Sequence, residues 1–285
     1  MKNSLNVAFS SDTNLQRDVT EVRQKILESL FKTGGGHYGG SLSVVDILFI
    51  LYVKIMDFNP SDPTHFKRDR LILSKGHAAI ALYSVFAHFN LIKESSLINY
   101  GKLNAGLEGH PDMTQTAGVD FSTGSLGQGL SVGIGMALGL KEEGKHVWVI
   151  LGDGECQEGQ IWEAAMFASR YKIDNIHVVI DANGAQEFGF KYNPTLSQEP
   201  ITNMAEKWES FGWCVQTIDG HNHLSLERAF LDSCKIKGAP SVIIAKTRKG
   251  AGVPMFEKDP EHYHCIALTE EEHHQALKEL TCNSN

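Results

Sequence analysis

No stretch of this sequence approaches the roughly 20 consecutive apolar residues that a membrane span requires. The longest, Leu48 to Val53 with its surroundings, is flanked by Asp46 and Lys54 and reads as a buried helix. A basic block is also missing. With 26 Lys and Arg against 34 Asp and Glu, the net charge is −8, which argues against nonspecific nucleic-acid binding. The five cysteines, Cys156, Cys214, Cys234, Cys265 and Cys282, are odd in number and lack C-x-x-C spacing. That pattern predicts a reducing compartment, with neither a disulfide framework nor a zinc site. The N-terminal Met1-Lys2-Asn3-Ser4-Leu5 shows no apolar run and no cleavage pattern, so no export signal is visible and a cytoplasmic location is expected. There is no Walker A lysine, no H-E-x-x-H and no G-x-S-x-G. Gly133-Ile134-Gly135 with Gly139 misses the dinucleotide spacing by one residue and falls within a helical pattern, so it reads as close helix packing.

What is present is an ordinary globular composition. Of 285 residues, 42% are hydrophobic and 21% charged, with no low-complexity tract, no fixed repeat and no linker. A chain of this length buries roughly three quarters of its unfolded surface, enough for a full core. Val19, Val22, Ile26 and Leu30 recur at helical spacing until Gly34-Gly35-Gly36 stops them. A second helix is predicted from Ser43, capped with Asp46, to Met56. Beyond it, strands at 71–73, 147–151, 176–180, 213–218 and 241–245 alternate with helices at 78–89, 129–143, 161–171, before Phe211 and at 224–235. The alternation implies an α/β fold: a mostly parallel sheet with right-handed crossovers and helices on both faces. Thr269 and Glu272 form the capping pattern of an acidic C-terminal helix holding His273 and His274.

In an open parallel sheet, ligands bind beyond the carboxyl ends of the strands. Two consecutive strands here end in Gly152-Asp153-Gly154 and Asp181-Ala182-Asn183-Gly184-Ala185. Asp153 and Asn183 are 30 residues apart, room for one helical crossover, so both reach the same sheet edge. A carboxylate and an amide oxygen are hard ligands suited to Mg²⁺ or Ca²⁺. The flanking glycines let the backbone approach a phosphate closely. These features predict a diphosphate held through a metal. His37 after Gly34-Gly35-Gly36, His77 after Gly76 and His110 after Gly109 occupy exposed Gly-rich turns from which imidazoles can reach hydroxyls and phosphates. His65, His88, His146 and His177 carry no such signal.

These residues lie in motifs that resemble those of the N-terminal, diphosphate-binding domain of transketolase. The segment Gly152-Asp153-Gly154 through Asn183, with Glu158-Gly159 and Glu163-Ala164 inside it, is similar to the thiamine diphosphate motif. Arg68 to Ala78 with its Ser74-Lys75-Gly76-His77 turn, Glu108-Gly109-His110-Pro111, and Thr123 to Gly129 carry the resemblance further, over about residues 19–253. The Ser-Lys-Gly-His-Ala turn departs from the deoxyxylulose-phosphate synthase branch. The resemblance implies that Asp153, Asn183 and the Ala185 carbonyl hold Mg²⁺ (or Ca²⁺). It further implies that Gly154, His77 and Lys249 contact the diphosphate, and that the backbone at Gly124, Ser125 and Leu126 meets the aminopyrimidine. His37 and His110 would face sugar hydroxyls with His77 nearby, while Glu158 and Glu163 would join a carboxylate network between two active sites. Where the family has a Trp-His-Gly step, this chain reads His262-Tyr263-His264, and His264 is the preferred match.

The resemblance implies a single domain of this type over 1–285, without the pyrimidine-binding and C-terminal domains of full transketolases. It therefore implies half of a split enzyme that transfers a two-carbon ketol unit from a ketose (phosphate) to an aldose (phosphate). A separate C-terminal subunit would supply the activating glutamate, in an α2β2 assembly. The alternatives are a noncatalytic or regulatory thiamine diphosphate-binding subunit, or a subunit of another thiamine diphosphate enzyme such as a 2-oxo acid decarboxylase.

Overall fold

The computed structural model describes residues 12–186 and 201–282. The first residues, read above for an export signal, lie outside them. Five strands, β1 (Arg70–Leu73), β2 (Val147–Gly152), β3 (Ile176–Ala182), β4 (Cys214–Asp219) and β5 (Ser241–Lys246), form one sheet in the order β1-β2-β3-β5-β4. Every pairing is parallel. The central strands are largely apolar because both faces are covered, with buried His177 and Asp181 of β3 the exceptions, and alternate residues serve opposite cores. Trp148, Ile150, Val179 and Ile243 face a layer made by α1 (Asp12–Thr33), α2 (Tyr38–Ser43), α3 (Val45–Ile50), α4 (Ala79–His88) and α8 (His223–Lys235). Val149, Leu151, Val178, Ile180 and Val242 face the other, made by α5 (Gln128–Leu140), α6 (Gly159–Arg170) and α7 (Met204–Ser210). Among the described residues, α9 (Pro254–Lys258) and α10 (Glu270–Cys282) follow β5.

Strand and helix positions agree with the sequence reading within a few residues, and α10 carries the expected reciprocal cap. Thr269 N–H donates to Glu272 Oε2 (2.8 Å) and Glu272 N–H to Thr269 Oγ1 (3.2 Å). The second helix is different. Helical structure begins at Tyr38 and runs through α2, α3 and a π-helical turn at Leu51–Ile55. Ser43 is therefore inside it rather than capping it, and donates its hydroxyl to Asp181 Oδ2 (2.6 Å). Gly39 and Gly40, which read as loop, are helical because the chain needs close approach here: a Cβ on Gly39 would lie 2.7 Å from Lys249 Cγ. Tyr38–Ile55 is apolar and long enough to cross a membrane by length and composition, longer than the sequence reading allowed, yet 89% of it is buried within the molecule.

The α5 glycines divide into two kinds. A Cβ on Gly133 would come 2.5 Å from Val149 Cγ2, so this glycine sets the distance between α5 and the sheet, whereas Gly135 faces open space. Gly133→Ala is expected to destabilise the protein by about 1–3 kcal/mol through overpacking. Gly135→Ala should instead be neutral or stabilising by up to about 1 kcal/mol, from helix propensity. Thermal denaturation of the two variants checks the contrast.

Candidate functional site

The carboxyl edge of the sheet collects the polar residues. Ser74 to His77 follow β1, Asp153 to Gln157 follow β2, Asn183 to Gln186 follow β3 and Lys249 follows β5. Lys75, His77, Asp153, Gly154, Asn183 and Lys249 are among those that line a cleft of about 390 Å³, together with His37, Gly40, Gly124, Leu126, Glu158 and His264.

Asp153 is buried where β2 ends. Its Oδ1 accepts Gly154 N–H (2.8 Å) and its Oδ2 accepts Gly184 N–H (2.7 Å), which ties the ends of β2 and β3 together. Burial raises its carboxyl to about 6, with the Asp181 charge adding to the effect and the two backbone donors opposing it. A buried carboxylate with only neutral donors is a poor resting arrangement and a good cation ligand. Asn183 Oδ1 accepts Ala185 N–H (3.1 Å) and its Nδ2 approaches Ser43 Oγ (3.4 Å). The Ala185 carbonyl accepts from Lys249 Nζ (3.2 Å).

Three imidazoles meet above this pair. His37 lies 5.3 Å from His77 and 5.5 Å from His264, centroid to centroid, and His77 lies 6.1 Å from His264. Of the three residues weighed for the family's histidine, His264 is the one that faces the cleft, where Lys249 Nζ contacts its Nδ1. Tyr263 is buried against Phe256 at 4.3 Å, and exposed His262 packs edge-on against Tyr263. His37 and His77 are half-buried rather than exposed, because α2 and the Gly76–Ala78 turn sink into the same core. Burial pushes His77 far below its ordinary pKa, and Lys75, His37, His264 and Lys249 add to that, so its imidazole is neutral. His264 is brought down to about 3, by burial first and then Lys249.

His110 is exposed and touches the cleft from the side: a Cβ on Gly124 would lie 3.0 Å from its Cδ2. Gly124 in turn abuts Gly76, where a Cβ would come 2.7 Å from the Gly124 nitrogen. Two closely approaching backbones thereby place the His110 and His77 turns side by side. Gly124 and Leu126 line the cleft, while Ser125 is exposed. Glu158 is exposed at the cleft rim, and Glu163 is exposed further along α6.

Four buried groups of this edge, Lys75, Asp181, Glu155 and Asp46, carried no sequence signal of their role. Lys75 donates to the Gly40 carbonyl (3.0 Å) and pairs with Asp181, which also accepts from Ser43 and Thr247. Against its burial, that lysine and these hydroxyls hold Asp181 below the usual carboxylate range. Glu155 accepts from Gly127 N–H (2.8 Å), Gly152 N–H (3.0 Å) and the Ser74 hydroxyl, fixing the turns after β1 and β2 against the N-terminus of α5. Asp46, buried in α3, pairs with Arg23 and accepts from His221 Nδ1 and His223 Nε2, both at 2.8 Å. His221 Nε2 then accepts Arg248 N–H (2.9 Å), which anchors the segment carrying Lys249.

The donor set fits a diphosphate with a divalent cation. Hard oxygens from Asp153 and Asn183 stand beside the Gly154 backbone, a buried lysine and neutral imidazoles, at the strand ends where such ligands bind.

The family described as "Transketolase, thiamine diphosphate binding domain" matches residues 15–285. The chain is 39% identical over 269 residues to the 6-deoxy-6-sulfo-D-fructose transketolase subunit SqwG of a Clostridium species, spanning 94% of this chain and 96% of that one. It is 38% identical to an apulose-4-phosphate transketolase subunit of Actinobacillus succinogenes, spanning 93% and 95%. Transketolase-like protein 2 of Mus musculus is also 38% identical, over 90% of this chain but only 42% of its own length. Transketolase of Campylobacter jejuni superposes with a TM-score of 0.83 at 29% identity, over 96% of this chain and 43% of that one. A Pichia stipitis transketolase, at 23% identity and a TM-score of 0.85, shares the fold over 41% of its length. With the cleft at the sheet's carboxyl edge and the match running from Leu15 to the last residue, this chain belongs to the transketolase thiamine diphosphate-binding domain family.

Proposed function

We propose that this chain is the thiamine diphosphate-binding subunit of a two-chain transketolase that moves a two-carbon ketol unit from a ketose to an aldose. The observation that carries the reading is the meeting of Asp153 and Asn183 with His37, His77 and His264 in one cleft, in a chain coextensive with relatives named as transketolase subunits. Both of those relatives are named for ketoses with an anionic group, a sulfonate in one and a phosphate in the other. A donor of that class is proposed here too. The reading carries with it Mg²⁺ as the cation, an α2β2 assembly, a cytoplasmic location and a single domain over 1–285.

What thiamine diphosphate supplies when bound is a thiazolium ring that stabilises a carbanion, the step that breaks a carbon–carbon bond next to a carbonyl. The chain's own residues do the rest. Asp153, Asn183 and the Ala185 carbonyl would hold the cation, and Lys249 would contact the diphosphate. Gly154 and His77 would complete the diphosphate contacts. A neutral His77 serves as donor or acceptor without repelling the cation beside it. Gly124 to Leu126 offer backbone to the aminopyrimidine, whose activating carboxylate comes from the partner chain. His37, His110 and His264 face the sugar hydroxyls. Glu158 and Glu163, exposed in this chain, meet the neighbouring subunit.

Ketol transfer is measured with a ketose phosphate, an aldose phosphate, thiamine diphosphate and Mg²⁺, using this chain alone and then mixed with the polypeptide encoded beside it. Turnover is expected only in the mixture. Cofactor binding without turnover across a panel of sugars would favour a noncatalytic subunit, and CO₂ release from a 2-oxo acid a decarboxylase. In the active mixture, His110→Ala is expected to leave cofactor affinity unchanged and to lower kcat/KM by about 10-fold or more, the loss of one substrate hydrogen bond. A variant that loses cofactor affinity instead would move His110 from the sugar to the cofactor.

A further inference from the structure

The opposite end of the sheet holds a cluster that the cleft does not use. His146 immediately precedes β2, His177 is the second residue of β3 and Cys234 lies in the last turn of α8. Their ligand atoms all lie within 4.8 Å of one another. A six-residue strand is roughly 20 Å long, which separates this cluster from the carboxyl edge. His146 Nδ1 and His177 Nε2 are 2.7 Å apart, and His177 Nδ1 is 2.7 Å from Ser241 Oγ at the start of β5. His177 is fully buried and packs on Trp148 at 4.5 Å, whereas His146 and Cys234 are half-buried and open to solvent. Asp69 accepts His146 N–H (2.9 Å) and places a negative charge near both His146 and Cys234, with Lys237 nearby as an opposing charge.

We propose that His146, His177 and Cys234 form a zinc site, with water as the fourth ligand. Two imidazoles and a thiolate are the ligand types that zinc selects, and the cluster offers none of the hard oxygens that Mg²⁺ needs. The Ser241 hydroxyl does what a partner behind a metal-bound imidazole does: with the proton on His177 Nδ1, it fixes the ring so that Nε2 presents its lone pair to His146 and Cys234. Binding exchanges the imidazole–imidazole hydrogen bond for two N–Zn bonds. His146 carries its proton on Nε2, and the Cys234 thiol proton leaves to solvent. Tetrahedral zinc places two nitrogen ligands about 3.3 Å apart, so half-buried His146 must retreat by about 0.6 Å while the Cys234 sulfur closes in. Spacing along the chain gave no sign of this site because its ligands come from three separate elements.

The test is titration of the full-length chain with Co²⁺ in excess Mg²⁺, which keeps the carboxylate edge occupied. One equivalent is expected to produce a thiolate-to-cobalt charge-transfer band in the near ultraviolet, which Zn²⁺ then displaces. Cys234→Ser should abolish the band. His146→Ala should weaken Zn²⁺ binding at least about 10-fold, with far-ultraviolet circular dichroism and thiamine diphosphate affinity unchanged. No band in the unmodified chain, a band that survives Cys234→Ser, or Zn²⁺ affinity unaltered in both variants would each overturn the proposal.

Discussion

Replacing Asp153 with alanine is expected to lower the affinity for thiamine diphosphate in the presence of Mg²⁺ by at least about 100-fold. Losing a direct cation ligand exceeds the 10- to 100-fold that outer partners of a metal cost. The diphosphate charge is then left without the ion that compensates it. The substitution also orphans the Gly154 and Gly184 N–H groups, a stability loss of about 1–3 kcal/mol. Asp153→Asn separates the two effects. It keeps an acceptor oxygen for one backbone donor but removes the charge, so it should fold more stably than the alanine variant while binding cofactor nearly as poorly. Calorimetric titration with and without EDTA reads both variants, and in the unmodified chain chelation should reproduce the loss. An alanine variant that retains full affinity would remove Asp153 from the cation site.

The largest expected effect on stability belongs to Lys75. Its ammonium is almost wholly buried and faces Asp181, which is completely so. Lys75→Met leaves a buried carboxylate without its cation, which costs about 3–5 kcal/mol. The companion Asp181→Asn change in the same chain should recover much of that loss, because a buried pair replaced on both sides is close to neutral. Urea denaturation of the two single variants and the double variant gives the coupling directly. Additive losses would mean that the two side chains act independently despite their contact.

This pair also shows where a sequence stops being readable. Asp153 and Asn183 were legible because they sit just past two consecutive, largely apolar strands, and topology alone then brings those strand ends together. Lys75 and Asp181 are partners across more than a hundred residues, and nothing in either local pattern announces a buried charge. The same is true of Glu155, whose local pattern carries no sign that it clamps two glycine turns. The start of the second helix was misplaced for the opposite reason. Gly39 and Gly40 are helix breakers by propensity, and the close approach of Lys249 and His77 overrides that propensity. The His37–His77–His264 grouping was half visible. Glycine turns flagged the first two, whereas His264 stood out only through its place in a motif, and the cleft then singled it out from His262 and Tyr263.

The burial of Tyr38–Ile55 has a consequence for the protein's biosynthesis. Its mean hydropathy of 1.5 over 18 residues is tolerable only under the cover of α1, α4 and α8. The last of these begins at His223, about 170 residues downstream, which at about 5–20 residues per second of synthesis is a wait of about 10–30 s. During that interval the part of the segment that α8 covers, against α3 and the Leu51–Ile55 turn, stays exposed on the nascent chain. Recombinant yield should therefore respond more to trigger-type chaperones and to slower growth temperature than the finished fold's ordinary composition would lead one to plan for.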